Sequence, residues 1–283
     1  MRVYRFTSYV FLTVVILNVQ SLKAQTLQST LPTGNGDTFI VIAHRGASAY
    51  APENTLSAFK LAIEMRAEMI ELDVAFSKDG VPVVIHDETL DRTTSGKGLV
   101  VNHTLAELKK MDTGSWFGAK FKGEPFPTLE EVLILTRGKI AVNIEIKHEA
   151  VTDEAKGGIV DKALSIVKSV GVQDQVIFSS FDYRVMEHLN KLAPAMPKAI
   201  LYEKSQSDDE LPSQLVEKYK VDAFNCSYKQ LSDEWLKNLK NHDIPFMVYT
   251  VNDDERMREL VEKGAAGIFS DKPDVLKTIV DNL

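Results

Sequence analysis

The chain has 283 residues, 44% hydrophobic and 26% charged, with 33 basic side chains against 40 acidic ones. That composition excludes disordered and low-complexity classes, and a formal charge of -7 has the wrong sign for a protein built to neutralise nucleic-acid phosphates. A single cysteine, Cys226, excludes an internal disulfide framework and any zinc or iron–sulfur site made of several thiolates.

In chain order, Arg2 and Arg5 precede an apolar run over residues 9–17, followed by Ser21-Leu22-Lys23-Ala24. This charged, apolar, small-residue order reads as a secretory signal over residues 1–24, too short to span a bilayer. Cleavage after Ala24 would leave 259 residues and carry the charge from -7 to -10, because Arg2, Arg5 and Lys23 leave with no acid. The expectation is an exported protein, periplasmic or secreted, with no stable membrane insertion after signal cleavage. Residues 25–38, with Gly34-Asn35-Gly36, read as a flexible lead-in.

From residue 39 onward, short β-branched runs alternate with longer amphipathic ones. Strands are predicted over 39–44, 69–74, 140–147, 176–181, 198–202, 223–227, 245–251 and 267–269. Helices are predicted over 55–65, 128–136, 155–169, 183–192, 212–219, 233–241, 254–263 and 274–281. Asn54 is placed as the cap of the first helix, Ser232 or Asp233 as that of the sixth, and Gly264 as the stop of the seventh. Eight strand–helix alternations in about 250 residues predict an α/β fold, a (β/α)8 TIM barrel occupying 39–283. No Gly-x-Gly-x-x-Gly follows the first strand, which argues against a dinucleotide-binding sheet.

A ninth strand-like run over 81–86 follows Lys78-Asp79-Gly80 too closely for a parallel crossover, so it reads as a hairpin partner of the second strand. A two-residue turn at Asp79-Gly80 would set Asp73 opposite His86. Residues 88–127 carry seven of the chain's glycines and prolines and little pattern beyond a short helix near 104–110. They read as a small inserted subdomain or lid.

The polar chemistry gathers at strand ends. In Ile70-Glu71-Leu72-Asp73-Val74, alternation turns Glu71 and Asp73 away from the helices and into the barrel. The run from Val142 to Lys147 turns Asn143, Glu145 and Lys147 the same way. Barrel interiors are normally apolar, so inward carboxylates on neighbouring strands call for a proton, a salt bridge to Arg45 or Lys147, or a cation. An oxygen-only donor set suits a divalent cation such as Ca²⁺ or Mg²⁺. His44-Arg45 closes the first strand and His86 the hairpin, near those acids. Imidazoles suit proton transfer near neutral pH, and guanidinium and ammonium groups suit phosphate. A cation, two proton-transfer groups and two phosphate-seeking cations together indicate metal-assisted phosphodiester cleavage. His103, His148, His188 and His242 lack such company and read as surface or packing residues.

These residues carry a family resemblance. His44-Arg45-Gly46, Ala51-Pro52-Glu53-Asn54-Thr55, Glu71-Leu72-Asp73, His86-Asp87, Asp91-Arg92-Thr93-Thr94, Gly114-Ser115-Trp116-Phe117, Asn143 to Lys147, Ser180-Phe181-Asp182, Thr250-Val251-Asn252 and Ser270-Asp271-Lys272-Pro273 resemble, in order, the motifs of glycerophosphodiester phosphodiesterases. The resemblance spans about residues 39–275 and itself implies a (β/α)8 barrel with a small insertion. It implies Glu71, Asp73 and Glu145 as metal ligands and His44 and His86 as the acid–base pair. It also implies Arg45 and Lys147 on the phosphate, with Glu53 nearby. Tyr249 stands where many members have tryptophan, which preserves an aromatic wall with a smaller ring; Phe181 is a second candidate for substrate contact. The implied substrate is a small glycerophosphodiester, cleaved to sn-glycerol 3-phosphate and an alcohol. A phospholipase-type or cyclising lyase acting on lysolipids is the alternative, and a noncatalytic exported binding protein is a third reading, which retention of both histidines disfavours.

Overall fold

The computed structural model describes residues 39–283; the secretory-signal and lead-in readings lie outside the described residues. The nine strands are β1 (Ile40–Ala43), β2 (Met69–Phe76), β3 (Pro82–Val84), β4 (Ala141–Ile146), β5 (Val176–Ser180), β6 (Lys198–Leu201), β7 (Ala223–Ser227), β8 (Phe246–Tyr249) and β9 (Gly267–Ser270). The helices are α1 (Leu56–Glu64), α2 (Leu105–Leu108), α3 (Leu129–Thr136), α4 (Ile159–Val170), α5 (Arg184–Leu192), α6 (Pro212–Tyr219), α7 (Asp233–Asn241), α8 (Asp254–Glu262) and α9 (Pro273–Asp281). Eight strands pair in parallel in the order β1-β9-β8-β7-β6-β5-β4-β2, and β1–β2 pairing closes them into the (β/α)8 barrel. Among the described residues no helix is long and apolar enough to cross a membrane.

The alternation of each strand sorts its side chains. Ile70, Leu72 and Val74 join Ile144, Phe178 and Phe224 in the layer between sheet and helices, fully buried or nearly so. The opposite faces fill the barrel. Following strand partners around the sheet and advancing one residue per strand runs from Glu71 through Ser179, Asn225 and Phe269 back to Glu71. That closure is the shear of about 8 that a TIM barrel requires, and it stacks the interior in layers of four. Below lie Ile42, Asn143, Ala199 and Met247, and below those Met69, Ile177, Ala223 and Gly267, a plug that is apolar except for the buried Asn143. Above the Glu71 layer lie His44, Glu145, Leu201 and Tyr249. The interior therefore changes from apolar to polar along its axis, and the polar end is at the carboxyl termini of the strands.

Two local expectations are corrected. β3 pairs antiparallel with β2 through Val74↔Val84 and Phe76↔Pro82, one residue out of the predicted register. Ser77 takes the loop closure itself, its N–H donating to Val81 O at 3.0 Å and its hydroxyl accepting from Val81 N. The loop thus has three residues ending in left-handed Gly80, and Ile85, not His86, lies opposite Asp73. The cap of α1 is Thr55, whose hydroxyl accepts from Ala58 N, and not Asn54. Asn54 has φ +57° and sends its side chain elsewhere. Ser232 caps α7 as predicted, accepting from Trp235 N.

Residues 88–127 contain α2 and two short 3-10 turns. Leu90, Val100, Leu108 and Phe126 pack on Ala75, Val83 and Ile85 of the hairpin, a separate small apolar cluster. Trp116, Phe117 and Phe121 instead stack edge to face on this segment's surface, at 5.6 Å between successive centroids. Asp112 organises its loop, accepting from the N–H groups of Gly114, Ser115 and Gly123. Glu124 accepts from the Ser57 N–H and hydroxyl, which fastens the segment to the start of α1.

Candidate active site

The polar end of the barrel opens into a cavity of about 170 Å³ lined by His44, Arg45, Glu71, His86, Glu145 and Lys147 on one side and Phe181, Leu201, Tyr249 and Phe269 on the other. Its charged half comes from β1, β2, β4 and the hairpin, its apolar half from β5, β6, β8 and β9. Phe181 and Tyr249 meet edge to face at 5.6 Å, and Tyr249 meets Phe269 at 6.2 Å. The two aromatic residues singled out from sequence thus share one wall.

The three predicted carboxylates converge. Glu71, Asp73 and Glu145 each present an oxygen within 4.8 Å of the others, the one such cluster among the described residues. Asp73 lies beside Glu145 because β2 and β4 pair there in register. Burial and the charge of Asp73 push Glu145 up to about 7, against the pull of Lys147. Glu71 is held well above the usual carboxylate range by burial, Asp73 and Glu145. Asp73 is also penalised by burial, but Lys147, Arg45, His86 and the Asn54 amide outweigh that and hold it below its usual range. Three clustered carboxylates, Glu71 and Asp73 buried and Glu145 half-buried, two of them drawn toward protonation, form an oxygen donor set that a divalent cation fits.

The end of β1 is built from two consecutive left-handed residues, Arg45 at φ +54° and Gly46 at +81°. For Arg45 that conformation costs about 1–2 kcal/mol. The sharp turn brings Arg45 N–H to Glu71 Oε2 at 2.8 Å, one hydrogen bond supporting the proposed ligand. At Gly46 a β-carbon would stand 2.7 Å from both the backbone carbonyl carbon and the β-carbon of Ala58, so no larger residue fits. Asn54 uses its left-handed backbone to bracket Asp73, donating from Nδ2 to Oδ2 at 2.8 Å and accepting from the Asp73 N–H at 3.2 Å.

Arg45 Nη1 donates to Glu53 Oε1 at 2.8 Å, while its buried Nε lies 3.5 Å from Asp73 Oδ2 and makes no hydrogen bond. Glu53 stands behind Arg45, outside the cavity lining. Lys147 Nζ donates to Glu145 Oε1 at 3.1 Å and lies 3.4 Å from Asp73 Oδ1. Burial disfavours both cations, but the surrounding carboxylates more than compensate and keep both protonated.

Each histidine is tied at Nδ1. His44 Nδ1 is 2.7 Å from Asp271 Oδ1, and His86 Nδ1 is 2.7 Å from Asp87 Oδ1. An ionised carboxylate only accepts, so both Nδ1 atoms carry hydrogen and Nε2 is left as the exchangeable position of each ring. Thr250 Oγ1 lies 3.5 Å from His44 Nε2. Asp271 is oriented by Ser48 Oγ at 2.9 Å and Asn252 Nδ2 at 2.6 Å. Burial raises Asp271, but His44, Asn252 and Ser48 bring it down to about 2. Burial lowers His86 first, and Asp73 acts against that.

Sequence reasoning passed over Asp271, Asp87, Asn54, Arg92 and Asn252 as functional groups. Asp87 adjoins His86, and Asp271 and Asn252 sit in quoted motifs, so position was available but contact was not: Asp271 meets His44 across 227 positions. Of the histidines set aside, His148 lies on the rim with Nδ1 3.1 Å from Asp182 Oδ2, is largely exposed, and is outside the cavity lining.

The family model for glycerophosphoryl diester phosphodiesterases matches residues 44–275. The chain is 40% identical over 242 residues to the glycerophosphodiester phosphodiesterase of Caldanaerobacter subterraneus subsp. tengcongensis, covering 85% of this chain and 97% of that one. It is 34% identical over 259 residues to a Bacillus subtilis glycerophosphodiester phosphodiesterase, covering 86% and 87% respectively. A phosphodiesterase of Oleispira antarctica, solved with the product sn-glycerol-3-phosphate, superposes with a TM-score of 0.78 at 30% identity, covering 85% of this chain and 96% of that one. The glycerophosphodiester phosphodiesterase of Agrobacterium tumefaciens str. C58 gives 0.73 at 32% identity, covering 85% of this chain and all of that one.

Proposed function

The chain belongs to the glycerophosphoryl diester phosphodiesterase family, and from that premise we propose that it hydrolyses glycerophosphodiesters to sn-glycerol 3-phosphate and a free alcohol with a divalent cation, Ca²⁺ or Mg²⁺, at Glu71, Asp73 and Glu145. The observation that carries the reading is the convergence, at one small cavity, of a three-carboxylate cluster, two histidines tied at Nδ1 and two protonated cations, with Glu71 and Glu145 lining the cavity and Asp73 buried behind them. The product-bound relative supports the glycerol 3-phosphate end of the substrate.

When bound, the cation supplies Lewis-acid stabilisation of charge on a phosphate oxygen. The cavity-facing part of the Arg45 guanidinium and Lys147 Nζ, on the same side of the cavity, bind the phosphate and neutralise the charge that grows on it. The Nε2 atoms of His44 and His86 handle the two protons of the reaction: one takes hydrogen from the nucleophile and the other gives hydrogen to the leaving alcohol. Asp271 and Asp87 hold each ring in the tautomer that leaves Nε2 free to do so. Phe181, Leu201, Tyr249 and Phe269 cover the carbon skeleton and keep water from the apolar half. The residue pattern at 1–24 supports action outside the cytoplasm, in the periplasm or medium.

Phosphorus NMR of sn-glycero-3-phosphocholine turnover tests the reaction type. The account expects glycerol 3-phosphate as the phosphorus product. A five-membered cyclic phosphate that persists as the end product would replace hydrolysis by a cyclising lyase reaction, and no turnover of any glycerophosphodiester would leave a binding protein.

A further inference from the structure

Resting on the phosphodiesterase reading of the site, we propose that Arg92 of the inserted segment is a positioning residue that sets His86 and Arg45 together, through Asp87 and Glu53. Its guanidinium bridges two carboxylates from different parts of the mouth. Nη1 and Nη2 donate to Glu53 Oε2 and Oε1 at 2.7 and 2.8 Å. Nε and Nη2 donate to Asp87 Oδ2 and Oδ1 at 2.7 and 2.9 Å. The same Glu53 Oε1 accepts from Arg45 Nη1, and the same Asp87 Oδ1 accepts from the His86 ring. One planar donor thus fixes the planes of two carboxylates, and each carboxylate holds one group that faces the cavity.

The bidentate geometry fits a guanidinium and not an ammonium, which offers no rigid fork. Without Arg92, Glu53 is left with Arg45 as its one partner. Closing onto it with both oxygens would draw that guanidinium off the phosphate side. Asp87 would lose the group that fixes its plane, and the His86 ring could turn. Misplacement of this kind costs catalysis far more than stability: about 10²-fold for roughly 1 Å.

A plain fold-holding role predicts otherwise. Arg92 is 45% exposed, and ion pairs that open to solvent contribute little to stability. The inserted segment stays docked without it, through the apolar cluster of Leu90, Val100, Leu108 and Phe126 and through the Glu124–Ser57 contacts. Loss of Arg92 should therefore leave the fold intact and disturb the site.

The test compares the full-length wild-type chain with Arg92→Gln and Arg92→Lys. Proton NMR of the resting protein follows the downfield Nδ1–H signal of His86, and steady-state kinetics with sn-glycero-3-phosphocholine gives kcat and KM. The inference expects an unchanged melting temperature, a broadened or lost His86 ring signal in both variants, and a fall of about 10²-fold in kcat/KM for Arg92→Gln. Added methylguanidinium should restore part of that loss, and Arg92→Lys should not recover it. An unchanged ring signal with kinetics within about twofold of wild type overturns the inference, as does a loss that follows only a lowered melting temperature. A wild-type chain that fails to hydrolyse the substrate would defeat the functional reading instead, while the ring signal, which needs no turnover, still judges Arg92.

Discussion

Replacing Asp271 by asparagine tests the histidine arrangement through a residue that never touches the substrate. Asn252 has its amide direction set, because its Oδ1 accepts from Ser270 Oγ at 3.0 Å and from the Asp271 N–H at 2.9 Å. Its Nδ2 therefore points at Asp271 Oδ2, at 2.6 Å, and that position must remain an acceptor. An asparagine at 271 must then place its own NH2 where Oδ1 now meets His44 Nδ1. Two donors cannot face each other, so His44 shifts its hydrogen to Nε2 and presents the wrong atom to the cavity. Losing one member of an acid–base pair costs about 10²–10⁴ in kcat, or about 3–5 kcal/mol of barrier, with KM little changed.

Stability should move less. An Asp271 pKa of about 2, against about 3.9 for a free aspartate, corresponds to roughly 2.5 kcal/mol. With 31% of the side chain exposed, solvent screening reduces that to about 1–2 kcal/mol. Because the folded-state pKa is depressed, this contribution is full above about pH 4 and fades as the pH falls toward 2. Coupled measurement of glycerol 3-phosphate release, with melting curves from pH 7 down to pH 3, reads both effects. A variant within tenfold of wild-type kcat would refute the tautomer argument. A melting difference that grows on acidification would refute the linkage.

Two further perturbations probe the supports of the site. Asn54→Gly keeps the left-handed backbone at φ +57° but removes both buried side-chain bonds to Asp73, so divalent-cation affinity should fall about 10–100-fold in calorimetric titration, and stability by about 1–3 kcal/mol in urea unfolding. Gly46→Ala must accommodate a β-carbon 2.7 Å from Ala58 in a left-handed conformation; it should destabilise by about 2–4 kcal/mol in urea unfolding and lower turnover by displacing Arg45 from Glu71.

Much of this fold is legible because strand alternation is a local property. Ile70-Glu71-Leu72-Asp73-Val74 announces which side chains face inward before any contact is known, and the parallel register of β2 with β4 then brings Glu145 beside Asp73. What was not legible depends on chain paths. The hairpin slipped by one residue because the Ser77 hydroxyl closes a three-residue loop, a choice that Asp79-Gly80 alone does not reveal. Asn54 looked like a helix cap because asparagine commonly is one, yet Thr55 fills that role and releases Asn54 to Asp73. The carboxylate behind His44 lies on the far end of the chain, and the guanidinium behind His86 and Arg45 lies in an insertion with little periodic pattern. Pairings of that kind are set by barrel closure and by packing of the insertion, and no spacing rule in sequence contains them.

The central claim is that Glu71, Asp73 and Glu145 hold a divalent cation on which phosphodiester cleavage depends. The direct measurement is glycerol 3-phosphate release from sn-glycero-3-phosphocholine by chelated protein, with Ca²⁺ or Mg²⁺ then added back, for wild type and Glu145→Gln. The account predicts that chelation abolishes wild-type turnover, that one of the two cations restores it, and that Glu145→Gln needs far more cation or fails to respond. Undiminished turnover by the chelated wild-type protein would contradict it.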